Sequence, residues 1–324
     1  MYFPYLRGKQ YELIALRELT PILIQNNVIP IIEPVKANIN GLVKAIENYN
    51  EPQNGLIIII NPSVGDWSNQ HTKLIENLNS ISRRQPLTST LPPIYYGILL
   101  NEVMDISNIT ELINKLQDHR IAFLHNGFKY KDEIIDLISD LNDTKNEVKF
   151  NIFFDDKQRT LYRKSFAKLE IARVIIKNSF TVQKNALYPI EEFFSELHAV
   201  YSSELGMNGF GDFQIVGDQY SEKGGPAYAV AIHLTYISED EEMFVKHFKS
   251  NDNSTSRDPG GKFFQALEKL IDFDLSNPSI LYQSTGLNEF KKLHREKHFP
   301  GLGVVKKLSI IHHIELINNY LQES

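Results

Sequence analysis

Short apolar segments recur along the chain as far as residue 218, and segments with helical periodicity separate them. A representative apolar segment is Leu56–Ile60, which stops at Asn61-Pro62. Runs that are apolar at nearly every position are typical of parallel strands buried on both faces. The first such strand ends at Leu6, and the next seven are Val28–Val35, Leu56–Ile60, Ile94–Leu100, Ile121–Leu124, Val148–Phe154, Arg173–Ile176 and Phe213–Val216.

Between these strands, apolar residues recur every three or four positions, which predicts amphipathic helices. The helix Gln10–Gln25 is the clearest of them, with its leucines on one face. The repetition of one strand and one helix predicts an α/β fold, a (β/α)8 barrel of the TIM-barrel type, over residues 1–218. A helix is also predicted over Ile190–Leu205, and Gly206–Asp212 is predicted to be a simple connection before the eighth strand.

The pattern changes after the predicted barrel. Ala227–Tyr236 and Glu241–Ser250 alternate apolar and polar residues around an acidic turn, which predicts an antiparallel hairpin. His233 and His247 lie on its two arms, where ordinary packing is favoured over a metal site. We therefore expect residues 219–324 to form a β-hairpin and C-terminal helices packed on the barrel. The three predicted helices are Lys262–Ile271, Ser279–His294 and Val304–Leu321.

Composition narrows the function classes. The chain has 324 residues, a net charge of −6 and no cysteine. The absence of cysteine excludes disulfides, thiolate catalysis and cysteine-ligated metal centres. The negative charge argues against nucleic acid as a partner. The N-terminus lacks a signal-peptide pattern, and the apolar runs are shorter than the roughly 20 residues that span a bilayer. We expect a soluble cytoplasmic protein with no membrane contact.

Polar residues directly follow the predicted strands, at the barrel end where sites of this fold lie. Both charge signs are present, and each polar residue abuts its strand. These residues are Arg7, Lys9, Glu33, Asn61, Asn101, Glu102, His125, Asn126, Asp155, Asp156, Lys177, Asn178 and Asp218.

Three of these residues are candidates for holding an anion, namely Arg7, Lys9 and Lys177. Arginine offers a bidentate fork to a phosphate or carboxylate, and Gly8 permits a tight turn beside it. The alternative is that Arg7 forms a structural ion pair with Glu33. Further substrate-binding candidates are Asn61, Asn101 and Asp218.

Catalytic candidates are His125, Glu33 and Asp155. Histidine titrates near neutral pH and suits a general base, although it is as often a hydrogen-bonded structural residue. The acids suit acid–base work, and together with Glu102 and Asp156 they suit a divalent cofactor such as Mg²⁺. Alternatively, the acids stabilise helix N-termini or neutralise the nearby cations.

Two blocks of sequence carry a family resemblance. The first comprises YFPYLRGKQYELIALREL and IPIIEPV, and the second comprises GDFQIVGDQYSEKGGPAYAVAIHLTY, VKHFKS and DPGGKFFQALEKL. The chain resembles the beta-family proteins of bacteria and T-even-type phages. The resemblance implies a barrel-like α/β fold and a part in phage–host conflict, but it assigns no reaction. The matching positions are Arg7, Gly8, Lys9, Glu12, Glu33, Asp218, His233, His247 and Lys262.

Two functions follow from these observations. The first is an enzyme, a hydrolase or lyase, that acts on an anionic or phosphorylated small molecule or nucleotide at the strand ends. The second is a non-catalytic component of a phage-defence cassette that binds a protein partner encoded with it. The aromatic residues Tyr228, Tyr236, Phe244 and Phe248 of the hairpin suit such an interface, although core packing explains them equally well.

Overall fold

Eight parallel strands close into a barrel in a computed structural model, which describes residues 1–25, 28–49, 55–83, 94–116, 120–142, 146–222, 225 and 227–323. Each strand pairs with the next, and the last pairs with the first. The barrel strands are β1 (Tyr2–Leu6), β2 (Ile31–Ile32), β3 (Leu56–Ile59), β4 (Ile94–Asn101), β5 (Arg120–Asn126), β6 (Glu147–Phe154), β7 (Ala172–Lys177) and β9 (Gly209–Asp212). A three-stranded sheet contains β8 (Glu191–Ser195), β10 (Ala231–Ile237) and β11 (Met243–Lys249).

Helices alternate with the barrel strands as predicted, and further helices follow the hairpin. This arrangement confirms the (β/α)8 fold with an added hairpin and C-terminal helices. The last helix, α10, packs against the first helix, α1, and contacts β1. The helices are α1 (Gln10–Gln25), α2 (Asn40–Asn48), α3 (His71–Arg83), α4 (Ile106–Asn114), α5 (Lys131–Asn142), α6 (Thr160–Ser165), α7 (Leu197–Val200), α8 (Pro259–Ser276), α9 (Thr285–Glu296) and α10 (Leu302–Glu323).

The eighth barrel strand was predicted at Phe213–Val216, and this prediction is wrong. The strand is Gly209–Asp212, four residues earlier, in the segment that was predicted to be a connection. Its glycines explain the difference, because β9 and β1 approach closely: a Cβ on Gly211 would lie 2.1 Å from the carbonyl oxygen of Phe3. A glycine-rich segment that reads as a loop is therefore what closes the barrel.

The prediction of a helix over Ile190–Leu205 is also wrong for the first half of that segment. Residues Glu191–Ser195 form β8, which pairs antiparallel with β11 of the hairpin. Only Leu197–Val200 is helical. Pairing with a strand about fifty residues away in sequence overrides the local helical pattern, because an edge of the hairpin is open to receive it. The hairpin itself is confirmed, with His233 directly opposite His247.

Alternate residues of each barrel strand face opposite sides, and the two sides form separate cores. One side fills the barrel interior, and the other packs under the surrounding helices. The inner side chains therefore pack together as a core inside the barrel. Interior residues are Phe3, Tyr5, Ile29, Ile31, Ile57, Ile59, Tyr95, Leu99, Ala122, Leu124, Phe150, Ile152, Phe154, Val174, Ile176 and Phe213.

A buried hydrogen-bonded chain joins the barrel, the small sheet and α10. The Asp212 carboxylate accepts hydrogen bonds from Tyr2 Oη at 2.8 Å and from His313 Nε2 at 3.1 Å. The other ring nitrogen of His313 is hydrogen-bonded to Thr235 Oγ1 at 2.9 Å. Burial alone would raise the pKa of Asp212, but His313, Gln214 and Tyr2 together hold that pKa below its ordinary value. Thr235 is fully buried, so this Thr–His–Asp series is structural.

We predict that His313→Ala lowers the free energy of unfolding by about 3–5 kcal/mol, because it leaves a buried carboxylate without its main partner. Urea unfolding monitored by circular dichroism measures this change. His298→Ala, which removes an exposed histidine, is the matched control and should change stability by less than about 0.5 kcal/mol. Equal losses in the two variants would contradict a structural role for the buried chain.

Candidate functional site

Polar side chains follow the apolar interior at the carboxyl end of the barrel. In several strands, the inward-facing apolar residues are followed two positions later by a polar residue. Arg7 follows Tyr5 in this way, and Asp156 follows Phe154. These groups surround a cavity of about 200 Å³, which we call the barrel mouth. Its polar lining residues are Arg7, Ser63, Asn126, Asp156, Lys157 and Asp218.

The Glu33 carboxylate is fully buried behind the barrel mouth, where it is hydrogen-bonded to three of the lining residues. One of its oxygens accepts hydrogen bonds from Tyr5 Oη at 2.7 Å and from the Arg7 guanidinium. The other accepts from the backbone nitrogen of Ser63 at 2.8 Å and from its hydroxyl at 3.0 Å. Because four donors occupy its lone pairs, Glu33 is a positioning group for Arg7 and Ser63.

Arg7 is held on both sides. Besides Glu33, its guanidinium donates to the backbone carbonyl of Asp218, and it lies 5.5 Å from the centre of the Tyr5 ring. Burial and the adjacent Glu33 charge raise the pKa of Tyr5 well above its usual range, so Tyr5 stays a neutral donor. Of the two roles open from the sequence, the structure therefore shows the ion pair of Arg7 with Glu33.

The remaining anion-binding candidates do not join Arg7. Lys9 donates from Nζ to the carbonyl of Ser221 at 3.0 Å and lies 5.0 Å from the Tyr220 ring, which ties the chain after Asp218 to the barrel. Lys177 is opposite Asp212 in the ladder, on the side of the strand that faces the helices. The predicted cluster of three cations is thus not assembled.

His125 lies outside the barrel mouth. Its side chain is fully buried between β5 and α6, stacked on Phe153 with ring centres 4.6 Å apart. Its ring nitrogens lie 2.9 Å from Tyr162 Oη and 3.0 Å from Asn151 Oδ1. Burial lowers the pKa of His125 to about 3. These contacts match the structural alternative.

Asp155 also faces the helices, where its carboxylate pairs with Arg163 of α6. The next residue along each of these two strands faces the barrel mouth instead: Asn126 after His125, and Asp156 after Asp155. The period of two provides the signal that identifies them in the sequence, since Leu124 and Phe154 already define the inward side. Asn126 and Asp156 were among the predicted strand-end residues, but the catalytic roles were assigned to the outward-facing His125 and Asp155.

The two asparagine candidates have structural contacts. The side-chain amide of Asn61 donates to the Leu99 carbonyl at 2.9 Å and accepts from the Leu99 nitrogen at 2.8 Å, which joins β3 to β4. Asn101 accepts from the backbone nitrogen of Val103 at 3.1 Å in a tight turn. Both also line a neighbouring groove of about 530 Å³, which meets the barrel mouth at Ser63.

No three histidine, aspartate or glutamate side chains are grouped so that they could hold a metal ion, within the part of the chain that the structure describes. His233 and His247 form a pair, with their Nδ1 atoms 2.6 Å apart, and the ring of Tyr188 stacks on His247. The magnesium site considered from the sequence stays a prediction.

Comparisons with protein-family models, with curated proteins and with solved structures give no significant match. The resemblance to the beta-family proteins therefore stays a prediction. No helix within the described ranges combines the length and the apolar character needed to cross a membrane.

We predict that His125 makes stability depend on pH. Its folded-state pKa of about 3 lies below the unfolded value of about 6.5, so stability is complete above pH 6.5 and falls as pH decreases towards 3. Between pH 6.5 and pH 5 this one group should cost about 2 kcal/mol. Urea unfolding at pH 6.5 and at pH 5 measures this change in the free energy of unfolding.

His125→Gln should lower stability at both pH values but reduce the difference between them by about 2 kcal/mol, because the new side chain does not titrate. His298→Gln serves as the exposed control and should leave the difference unchanged. If His125→Gln retained the whole pH dependence, the imidazole would not be the neutral buried group described above.

Proposed function

We propose that the protein is an enzyme of the hydrolase or lyase type that acts at the barrel mouth on a small molecule carrying an anionic group. The single supporting observation is the layering of the barrel interior. Apolar side chains of Tyr5, Leu99, Phe154 and Phe213 form the floor of the cavity, and a ring of inward-facing polar groups stands above it. A concave site with an apolar floor and a few convergent polar groups is the usual form of a small-molecule site.

The anionic group of the substrate would meet Arg7 and Lys157. Glu33 and the Asp218 carbonyl fix the orientation of the Arg7 guanidinium, so little is lost in ordering it when substrate binds. Lys157 adds a second positive charge at the rim. The volume of about 200 Å³ lies below the range typical of drug-sized ligands, so the reacting part is small. A larger substrate, such as a nucleotide, would extend into the neighbouring groove past Ser63.

Asp156 and Asp218 supply the proton-transfer groups. The Asp156 carboxylate lies 3.3 Å from the Lys157 ammonium, whereas the carboxylate of Asp218 has no hydrogen bond to any described residue. Two carboxylates in different surroundings suit separate acid and base roles. Hydrolysis and elimination both need such a pair, so the site supports either reaction class. In this proposal Glu33 positions Arg7 and does not itself transfer a proton.

We predict that a thermal-shift screen of sugar phosphates, small carboxylates and nucleotides, with and without Mg²⁺, finds a ligand that raises Tm. Lys157→Gln should remove that shift, because it deletes the cation at the rim of the barrel mouth. Asp156→Asn should keep the shift and reduce turnover of the ligand by about 10²–10⁴-fold, because it deletes a proton-transfer group.

Matched controls are Lys44→Gln and Asp140→Asn, which make the same changes on exposed faces of α2 and α5. Both should retain the shift and the turnover. A ligand whose shift survived in Lys157→Gln would bind elsewhere, and full turnover in both Asp156→Asn and Asp218→Asn would refute the assigned chemistry.

A protein-binding function is the second candidate, and the edge of the small sheet favours it. Phe248 is buried in the core, but Phe193 of the edge strand β8 is 46% exposed and Ile190 beside it is 73% exposed. Phe193 also contacts Phe244 of the hairpin, with ring centres 5.9 Å apart. Exposed apolar residues along a strand edge suit pairing with a partner segment.

We predict for this candidate that a protein encoded beside this chain co-purifies with it and is lost from the Ile190→Ser/Phe193→Ser double variant. The loss would follow from removing the apolar contact area of the edge. Leu161→Ser removes an exposed leucine of α6 and should not affect recovery. Recovery of the partner with the double variant at wild-type yield would rule out this surface.

A further inference from the structure

A second and larger cavity lies outside the barrel mouth, between the loop after β7, the segment 227–231 and the start of α10. Its volume of about 980 Å³ falls in the range typical of small-molecule sites. It shares no lining residue with the barrel mouth. We call it the side cavity.

Hydrogen bonds from several elements hold the irregular wall of the side cavity in place. The buried ammonium of Lys262 donates to the carbonyl of Tyr228 at 2.7 Å, and Asn185 donates to the carbonyl of Ala229 at 2.9 Å. The backbone nitrogen of Val230 donates to the hydroxyl of Ser250 at 3.1 Å. A wall built in this way is formed before a ligand arrives, which reduces the entropy cost of binding.

The charged groups of the side cavity are all of one sign. Lys184 and Lys306 line it, and both side chains are exposed; Lys306 also interacts electrostatically with the buried Glu12 carboxylate, which lies outside the described lining. No aspartate or glutamate belongs to the described lining. The barrel mouth differs in this respect, because its cations share the space with carboxylates.

His233 also lines the side cavity. One of its ring nitrogens faces His247, and no described residue bonds to the other. Burial and the charges of His247 and Lys306 hold the pKa of His233 well below its ordinary value, so this imidazole is neutral. It therefore offers a hydrogen bond without adding charge.

The lining also contains uncharged polar side chains, and part of it is apolar. The polar residues are Gln183, Asn185, Tyr228, Asn253 and Ser309. Ile215, Val230 and Val305 are buried side chains of this surface. A cation pair next to an apolar wall is complementary to a molecule with a charged head and an apolar body.

We propose that the side cavity binds a small organic anion, whose carboxylate or phosphate group meets Lys184 and Lys306 while its apolar body lies against Ile215, Val230 and Val305. His233 supplies a hydrogen bond to the ligand. This site is separate from the barrel mouth, and the proposal does not depend on the enzymatic function.

The test uses two fluorescent probes with the full-length protein. The probe 8-anilinonaphthalene-1-sulfonate is an organic anion with an apolar body, and Nile red is an uncharged apolar dye. We expect the anionic probe to bind saturably with one molecule per chain. Its affinity should weaken by about tenfold in Lys184→Gln/Lys306→Gln, because two charge contacts are lost. Nile red binding should not change in that variant.

Two further variants locate the binding. Lys157→Gln makes the same charge change at the barrel mouth and should leave the affinity for the anionic probe unchanged. Ala227→Trp fills the side cavity and should abolish binding of both probes. Absence of saturable binding, equal affinity in the double lysine variant, or a matching loss in Lys157→Gln would each overturn the proposal. An equal loss of Nile red binding in the double lysine variant would also overturn it, since charge would not be the cause.

Discussion

Closure of the parallel ring is the constraint on which the rest of the structure depends. Once β9 pairs with β1, each strand has an inner and an outer side, and a residue's position in the alternation decides its environment. The close approach of Gly211 to Phe3 makes this last pairing possible. The same constraint gives adjacent residues different environments. Asp155 pairs with Arg163 under a helix, while Asp156 faces the barrel mouth.

Polar residues on the outer side are buried by helices and must find partners there, because an unpaired buried polar group is costly. His125 and Asp212 illustrate the two solutions, one neutral and one charged. Burial holds the imidazole of His125 neutral between Tyr162 and Asn151. The Asp212 carboxylate instead keeps its charge through His313. These contacts attach helices to the barrel, so the outer polar residues stabilise the scaffold that carries the inner ones.

The sequence was sufficient to predict the repeating architecture, the hairpin and the three C-terminal helices, because each has a strong local period. It was not sufficient for β8 and β9. The segment Glu191–Ser195 becomes a strand only by pairing with β11, and Gly209–Asp212 is a strand because its glycines fit against β1. For the site, the sequence located the strand ends. It did not identify which of two adjacent polar residues faces the barrel mouth. A polar residue that follows an apolar run is a site candidate whether its side chain faces inward or outward. Only the two-residue period of the strand distinguishes the inward Asn126 from the outward His125.

The sequence also does not show which cations are already neutralised. A charge at a strand end is mostly desolvated, so the fold keeps it only with a partner. Arg7 accordingly meets Glu33, and Lys9 meets the Ser221 carbonyl. The exposed lysines differ from these. Lys157 on the rim pairs with the half-exposed Asp156, and Lys306 on α10 keeps contact with water. The anion recognition that we propose therefore depends on exposed lysines, and on Arg7 through the orientation that Glu33 and the Asp218 carbonyl give its guanidinium.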